Sequence, residues 1–485
     1  MSSGSLLSVA RSALFAQQTT MATIAQNIAN AQTPGYSRQE AVLQATTPVR
    51  FSYGNIGTGV AVSTVIRKRD VLLDDTYRNA NGQASGADTK STLLGQLQGV
   101  FGEPSTSGLS NALSQFFGAW SDLATSPNND AAKAVVQQQG KQVAGLFNQF
   151  DSQITQQRTS TIEQATNTVT TINNDAAQVA DLNGQIVTAE SNGNTANDLR
   201  DQRDLKLDEL SKLGGVRVLN QADGTVSVII GNSTLVDGIT ARPLALQLAP
   251  QVPPPAVTPS DVPIKITLGS SPDALTPLGG QLQSLVDYVN TDIPNTRSRL
   301  DAMASQLTST VNAAHSQGFV FNGSTIPGTA AGNFFDAGSV ANPVRAGTIK
   351  LDAAIDANPA NIASSRDINA PSDNANASAL SALRTSATDV SYTPPGGGTT
   401  ETGSFDSFFR TTVTSLGIDV KSATDNATVY KALSDQADTR RQSVSGVNTD
   451  EELAHMMQVQ QAYTAASKLI KTADDMMQTL LAIVP

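Results

Sequence analysis

His315 and His455 are the two imidazoles of this 485-residue chain, and it contains no cysteine. Thiol nucleophiles, disulfides and zinc sites built on thiolates are excluded at once. Each histidine falls in a helical pattern without a second histidine or an acid at ligand spacing, so both read as surface or helix-packing residues. The acids between Asp198 and Glu209 imitate the carboxylate pair of a general acid–base site. Basic residues four positions away (Arg200 with Asp204, Lys212 with Asp208) turn that stretch into a solvated helix face instead. Arg67-Lys68-Arg69 reads in the same way, as a solvated charge cluster. The chain has no Gly-x-Ser-x-Gly elbow, no phosphate-cradling loop and no dinucleotide fingerprint. Asn232-Ser233-Thr234 fits a glycosylation acceptor, a pattern short enough to arise by chance. The chemistry expected is therefore none: no enzyme, no metal and no cofactor.

Composition points to a chain built for surfaces. Charged residues are 15%, aromatic residues 5% and apolar residues 39%, with 36 Gly and 21 Pro. About a third of the positions are left to Ser, Thr, Asn and Gln. A net charge of −11 argues against nucleic acid, because affinity there comes from Lys and Arg neutralising phosphates. The charge is uneven: residues 1–69 hold six basic residues against the single acid Glu40. No apolar run approaches the ~20 residues that a bilayer requires, so no membrane insertion is expected. Arg11 and Gln17-Gln18 interrupt any cleavable signal, so export, if it occurs, is expected by another route. The length suggests roughly three domains.

The elements that would position any surface are clearest at the two ends. From Leu7, small or apolar residues recur at steps of three and four: Leu7, Ala10, Leu14, Gln17, Met21, Ile24, Ile28. This helix must stop near Thr33-Pro34-Gly35, because the residue before a proline is pushed out of the α region. A second seam runs Met456, Val459, Tyr463, Ala466, Ile470, Ala473, Met477, Leu480, Val484, in coiled-coil spacing. Asn448, Thr449 or Asp450 would cap it, and Glu451-Glu452 suit the helix dipole. Such stripes need a partner, since single helices are marginal in water. The partner is the other end, the rest of the chain, or another copy; an ordinary hairpin closing one domain is the blander alternative.

Between the ends, helical pattern dominates to about residue 213, including Ile162, Ala165, Val169, Ile172, Ala176, Val179, Asn183, Ile186 and a helix from Asn197 to Leu213 ended by Gly214-Gly215. The period then changes to two. Val216/Val218, Val226/Val228/Ile230, Leu244/Leu246/Leu248 and Ile264/Ile266/Leu268 predict four short strands. The Pro-rich segment 250–263 reads as an extended loop between them. Helix is predicted again from Gly279 to Gln317 with a break at Pro294. Residues 323–400 read as irregular surface structure, with a loop at Pro394–Gly398, and helix returns from Phe405 to Gln442. The fold class expected is mainly α with a β-rich insertion. Its domains would be a terminal coiled coil (1–33 plus 449–485), a mainly helical middle (34–213 plus 277–448) and a β-rich outer domain (214–276).

Asn27-Ile28-Ala29-Asn30-Ala31-Gln32-Thr33-Pro34-Gly35-Tyr36 resembles the N-terminal signature of the bacterial flagellar axial proteins, the rod, hook and hook-associated group. Ser445 to Leu481 resembles the matching C-terminal end. Asn197 to Val216, Phe116 to Ala132 and Asn312 to His315 resemble interior stretches of the hook-associated members at the hook–filament junction. The resemblance implies a structural adaptor, exported unfolded through the flagellar type III channel and located outside the cell. It implies a ring of subunits built through the paired terminal helices. The implied partners are the hook protein, the next hook-associated junction protein, the filament cap during assembly, and a cytoplasmic export chaperone on the C-terminal helix. Asn27, Asn30, Pro34, Gly35 and Tyr36 are the signature positions it marks. The alternatives are another axial protein (distal rod or hook) or a secreted adhesin or translocator.

Overall fold

The computed structural model describes residues 3–483 apart from 52–53, 103–104, 106–107, 192, 194, 249–261, 277, 322–324, 341, 386–389 and 395–398. Most of the Pro-rich loop, much of the Pro394–Gly398 loop and Val484 lie outside the described residues. Local signals start and stop the long helices. Helix α1 (Ser3–Ala29) leads into strands β1 (Gln39–Ala45), β2 (Val49–Phe51), β3 (Gly54–Ile56) and β4 (Val60–Arg67). Strand β1 pairs antiparallel with β4, and β2 with β3, giving a ribbon on which the chain turns back. Helix α2 (Val71–Phe101) is capped by Asp70, whose carboxylate accepts from the Leu72 and Leu73 amides, and ends at Gly102 in the left-handed region. Helix α3 (Leu109–Thr125) follows, then α4 (Asp130–Glu190), capped by Asn129. At 61 residues α4 is about 90 Å long. Helix α5 (Asn197–Gly214) stops at Gly215, also left-handed.

The β block comes next: β5 (Arg217–Asn220), β6 (Val226–Ile230), β7 (Ser233–Asp237) and β8 (Thr240–Ala241) form an antiparallel meander. Strands β9 (Leu244–Leu248) and β10 (Ile264–Leu268) pair beside it as a separate hairpin. The four strands expected from sequence are present as β5, β6, β9 and β10. Strands β7 and β8 escaped because Ser233–Asp237 does not alternate cleanly and Thr240–Ala241 is too short for a period. Two asparagines dock this block on α4. Asn183 accepts from the Val226 amide and donates to the Val226 and Gly238 carbonyls, and Asn173 bonds both backbone groups of Leu244.

Helix α6 (Gly280–Asp287) passes through a π turn at Tyr288–Asp292 into α7 (Ile293–His315). The disturbance is a π turn just before Pro294, the second residue of α7, whose missing N–H interrupts the hydrogen-bond ladder of a helix that otherwise continues. Small elements follow: β11 (Phe319–Val320), β12 (Thr329–Ala330), α8 (Ala353–Ala357), α9 (Ala375–Ala382), β13 (Val390–Tyr392) and β14 (Glu401–Gly403). Helices α10 (Phe405–Ser445) and α11 (Thr449–Ile483) complete the chain.

The main core is aromatic, with Phe116 and Trp120 of α3 meeting Phe334 and Phe335 at ring distances of 5.5–6.0 Å. This corrects the expectation of a surface role for 323–400: Phe334, Phe335, Ile349, Ile355, Ile362 and Leu380 are all core residues. They are scattered among Gly, Asn and Ala without a period, so no pattern betrayed them. His315 is fully buried among the rings, its Nδ1 2.8 Å from the Gly332 carbonyl and its Nε2 accepting from the Ala363 amide at 3.0 Å.

Candidate assembly site

Helices α1 and α11 pack antiparallel, with Asn27 meeting Glu452 at one end and Gln18 meeting Tyr463 further along. On α11 the residues buried most deeply are Glu452, Val459, Ala466 and Ala473, one every seven. On α1 they are Ala10, Ala16, Thr20, Thr23, Ile24 and Asn27. The buried residues of the pair are mostly small, and the β1–β4 ribbon covers a further part of α1. The amide of Val60 donates to Ser12 Oγ at that contact.

The predicted seam residues divide accordingly. Ile24 and Val459 are buried; Leu14, Met21, Ile28, Met456, Tyr463 and Ile470 are half-buried; Leu7 and Met477 are exposed. Leu480 lies on α11, and its side chain is outside the described residues, as is Val484. One phase of the α11 stripe therefore faces α1, while Met456, Tyr463 and Ile470, also seven apart, are only half-buried.

The signature residues build the turn at the closed end. Asn30 holds it locally, donating to the Gln26 carbonyl and accepting from Thr33 Oγ1. Pro34 is exposed, and Gly35, at φ +80°, lies against Leu205 of α5. Tyr36 donates to Asn27 Oδ1 at 2.8 Å. Asn27 also bonds both backbone groups of Gln39 and donates to Glu452, which in turn takes the Arg38 Nε at 2.7 Å. Asn448 caps α11, accepting from the Asp450 and Glu451 amides.

Beneath the turn lies a paired-charge network that sequence reasoning had read as two solvated clusters. Asp201, Asp204 and Asp208 share one face of α5 at helical spacing. Arg67 Nη1 bridges Asp201 and Asp204 at 2.7 and 2.8 Å, and Arg69 reaches Asp204 at 3.2 Å while clasping Asp74. Arg78 of α2 reaches Asp204 and Asp208 at 3.2 and 2.8 Å. Arg441 of α10 holds Asp208 at 2.5 Å and stacks on Tyr77, 3.7 Å from the ring centroid. Ser37 donates to Asp201 through both its amide and its hydroxyl. The expected pairs within α5 give way to these longer-range partners, and Arg200 instead clasps Glu190. Local spacing could not reveal this, because the partners lie 126 to 233 residues away in sequence.

Burial would raise the Asp204 carboxyl, but Arg69, Arg67 and Arg78 outweigh it and hold it down at about 2. For Asp201 burial prevails over Ser37 and Arg67, and its pKa moves up. Arg203, buried against Asn183 Oδ1 and the Gly224 carbonyl, is pushed down to about 10 by desolvation. Among the described residues no group of three His, Asp or Glu side chains is placed to hold a metal ion, and no helix is long and apolar enough to cross a membrane.

The site thus ties both chain ends to α2, α5 and α10. Comparison with known proteins bears on its role. Residues 94–335 match the flagellar hook-associated protein FlgK helical domain. Residues 7–36 match the flagella basal body rod protein family, and 440–483 the C-terminal family of the flagellar basal body rod FlgEFG proteins. Flagellar hook-associated protein 1 of Bacillus subtilis (strain 168) is 32% identical over 98% of this chain and 97% of its own length. The chain belongs to the flagellar hook-associated protein 1 family. It is accordingly a structural protein of the bacterial flagellum, an adaptor of the hook–filament junction. The Salmonella typhimurium member is 33% identical over 66% of this chain, which spans 58% of that relative. The flagellar hook junction protein FlgK from Burkholderia pseudomallei shares the fold, with a TM-score of 0.59 over 76% of this chain and all of that one, at 20% identity. The rod families reach only the two ends, whereas the hook-associated family takes the interior, so the distal-rod and hook readings recede.

Proposed function

We propose that the chain assembles as a ring of subunits on the distal hook, its two terminal helices forming the inner wall. One observation carries this reading: the α1–α11 pair buries Val459, Ala466 and Ala473 yet leaves Leu7, Leu14, Met21, Met456, Tyr463 and Ile470 only partly covered. A pair joined mainly through small side chains buries little apolar surface, and neighbouring copies would supply the remainder. Residues 1–33 and 449–485 form the inner domain in this reading, 34–213 and 277–448 the middle, and 214–276 the outer domain. The hook protein lies below, the next hook-associated protein above, and a filament cap sits there during growth. An export chaperone covers the α11 stripe before secretion, since an exposed apolar seam invites aggregation. Deleting residues 449–485 should abolish incorporation at the hook tip while the aromatic core still melts cooperatively. Electron microscopy of hooks, together with a flagellin assay of the medium, reads the result. Truncated protein at the tip, with filaments attached, overturns the assembly role of α11.

A further inference from the structure

The buried α11 positions repeat every seven residues, and two of them, Ala466 and Ala473, are identical. A seam of this kind does not by itself choose one alignment, because a slip of one heptad presents nearly the same small side chains to α1. What is unique along the pair is polar. Asn27 and Glu452 are each 1% exposed, and Asn27 has every hydrogen-bonding position filled. Its Nδ2 donates to the Gln39 carbonyl at 2.9 Å and to Glu452 Oε2 at 3.0 Å. Its Oδ1 accepts from the Gln39 amide at 3.0 Å and the Tyr36 hydroxyl at 2.8 Å. A one-heptad slip would carry Glu452 about 10 Å away, leaving a buried amide hydrogen and a buried carboxylate oxygen without partners, the costly situation for polar groups.

We infer that Asn27 and Glu452 are the positioning residues that select the register of the α1–α11 pair, while the apolar seam supplies attraction without alignment. The surface offered to neighbouring copies, and hence the lattice, depends on that choice. Both residues act through the helices they align.

The absence of cysteine makes the test clean. In the full-length chain, Gln18→Cys is combined in turn with Tyr463→Cys, Ile470→Cys or Met456→Cys, the native and the two slipped neighbours, and treated with a short bismaleimide. The parent should cross-link at 18–463 alone. In Asn27→Ala, the 18–463 product should fall severalfold as a slipped product appears. Because Asn27→Ala can simply loosen the pair, Asn27→Leu with Glu452→Leu provides the second background. It restores apolar contact and helix content by circular dichroism, yet should still divide the cross-links among registers. Exclusive 18–463 cross-linking in that double variant overturns the inference. So does loss of every cross-link there, which would make the two residues necessary for pairing itself. A parent that cross-links equally at all three pairs overturns it as well.

Discussion

Gly215, where the chain enters the β block, lies against Gly279, where it leaves. A Cβ on Gly215 would sit 2.6 Å from the Gly279 Cα, and one on Gly279 would sit 2.9 Å from the Gly215 Cα. Gly215 also has φ +63°. Gly215→Ala therefore combines a backbone collision with a strained conformation and should destabilise by about 2–4 kcal/mol. Gly102→Ala is the control: φ is +55° with open space around it, so strain alone should cost about 1–2 kcal/mol. Urea unfolding of the two variants measures the difference.

Asp204→Asn removes the carboxylate that Arg67, Arg69 and Arg78 share. Breaking a buried ion pair typically costs about 3–5 kcal/mol. The pH dependence has a definite sign. The folded carboxyl titrates at about 2, below the unfolded value near 3.9. Its stabilisation is therefore complete above about pH 4 and is lost as pH falls through about 2. Urea midpoints collected from pH 5 to pH 2 should fall less steeply for the variant than for the parent.

His315 and Asp301 tilt the stability curve in opposite directions. Burial holds His315 at about 4, so its contribution is full above the unfolded value near 6.5 and is lost as pH falls towards 4, by about 3 kcal/mol at most. Burial lifts Asp301 to about 6, against the Ala346 amide bond that favours its charged form. Its contribution is full below the unfolded value near 3.9 and is lost as pH rises through 6. Between pH 6 and 4 the two offset each other. Asp301→Asn should raise the urea midpoint at pH 7.5 and expose a steeper fall between pH 6.5 and 4, while His315→Gln should flatten that fall.

Arg441→Lys keeps the charge but loses the planar contact with Tyr77 and the fork that holds Asp208 and Asp438 together. A loss of about 1–2 kcal/mol is expected. The Tyr77 fluorescence or ring-shifted proton resonances would report the lost stacking independently of stability.

Much of this was legible in the chain itself. The stripe from Ile162 to Ile186 is the buried face of α4, with Ile162 half-exposed at its edge. Its one polar member, Asn183, proves to be the clamp on the β block rather than a defect. Helix ends at Gly215 and Asn448 follow from local chemistry, which a sequence displays directly. Periodicity, however, records which face is covered and says nothing about what covers it. That is why Arg67, Arg69 and the α5 acids were read as solvated, and why the β1–β4 ribbon was missed where Val60–Arg67 alternates only loosely in burial. Glu452 could have been found, since it stands in phase with Val459, Ala466 and Ala473. An acid at the head of an apolar heptad is an anomaly that asks for a buried partner.

Helix α4 gives the molecule a property that no single contact conveys. One half of it runs through the aromatic core, where Gln137 and Asn148 grip the 349–356 backbone, and the other half carries the β block through Asn173 and Asn183. These regions are joined by one uninterrupted helix with no linker between them, so the placement of the β block is set by the same element that the aromatic core holds.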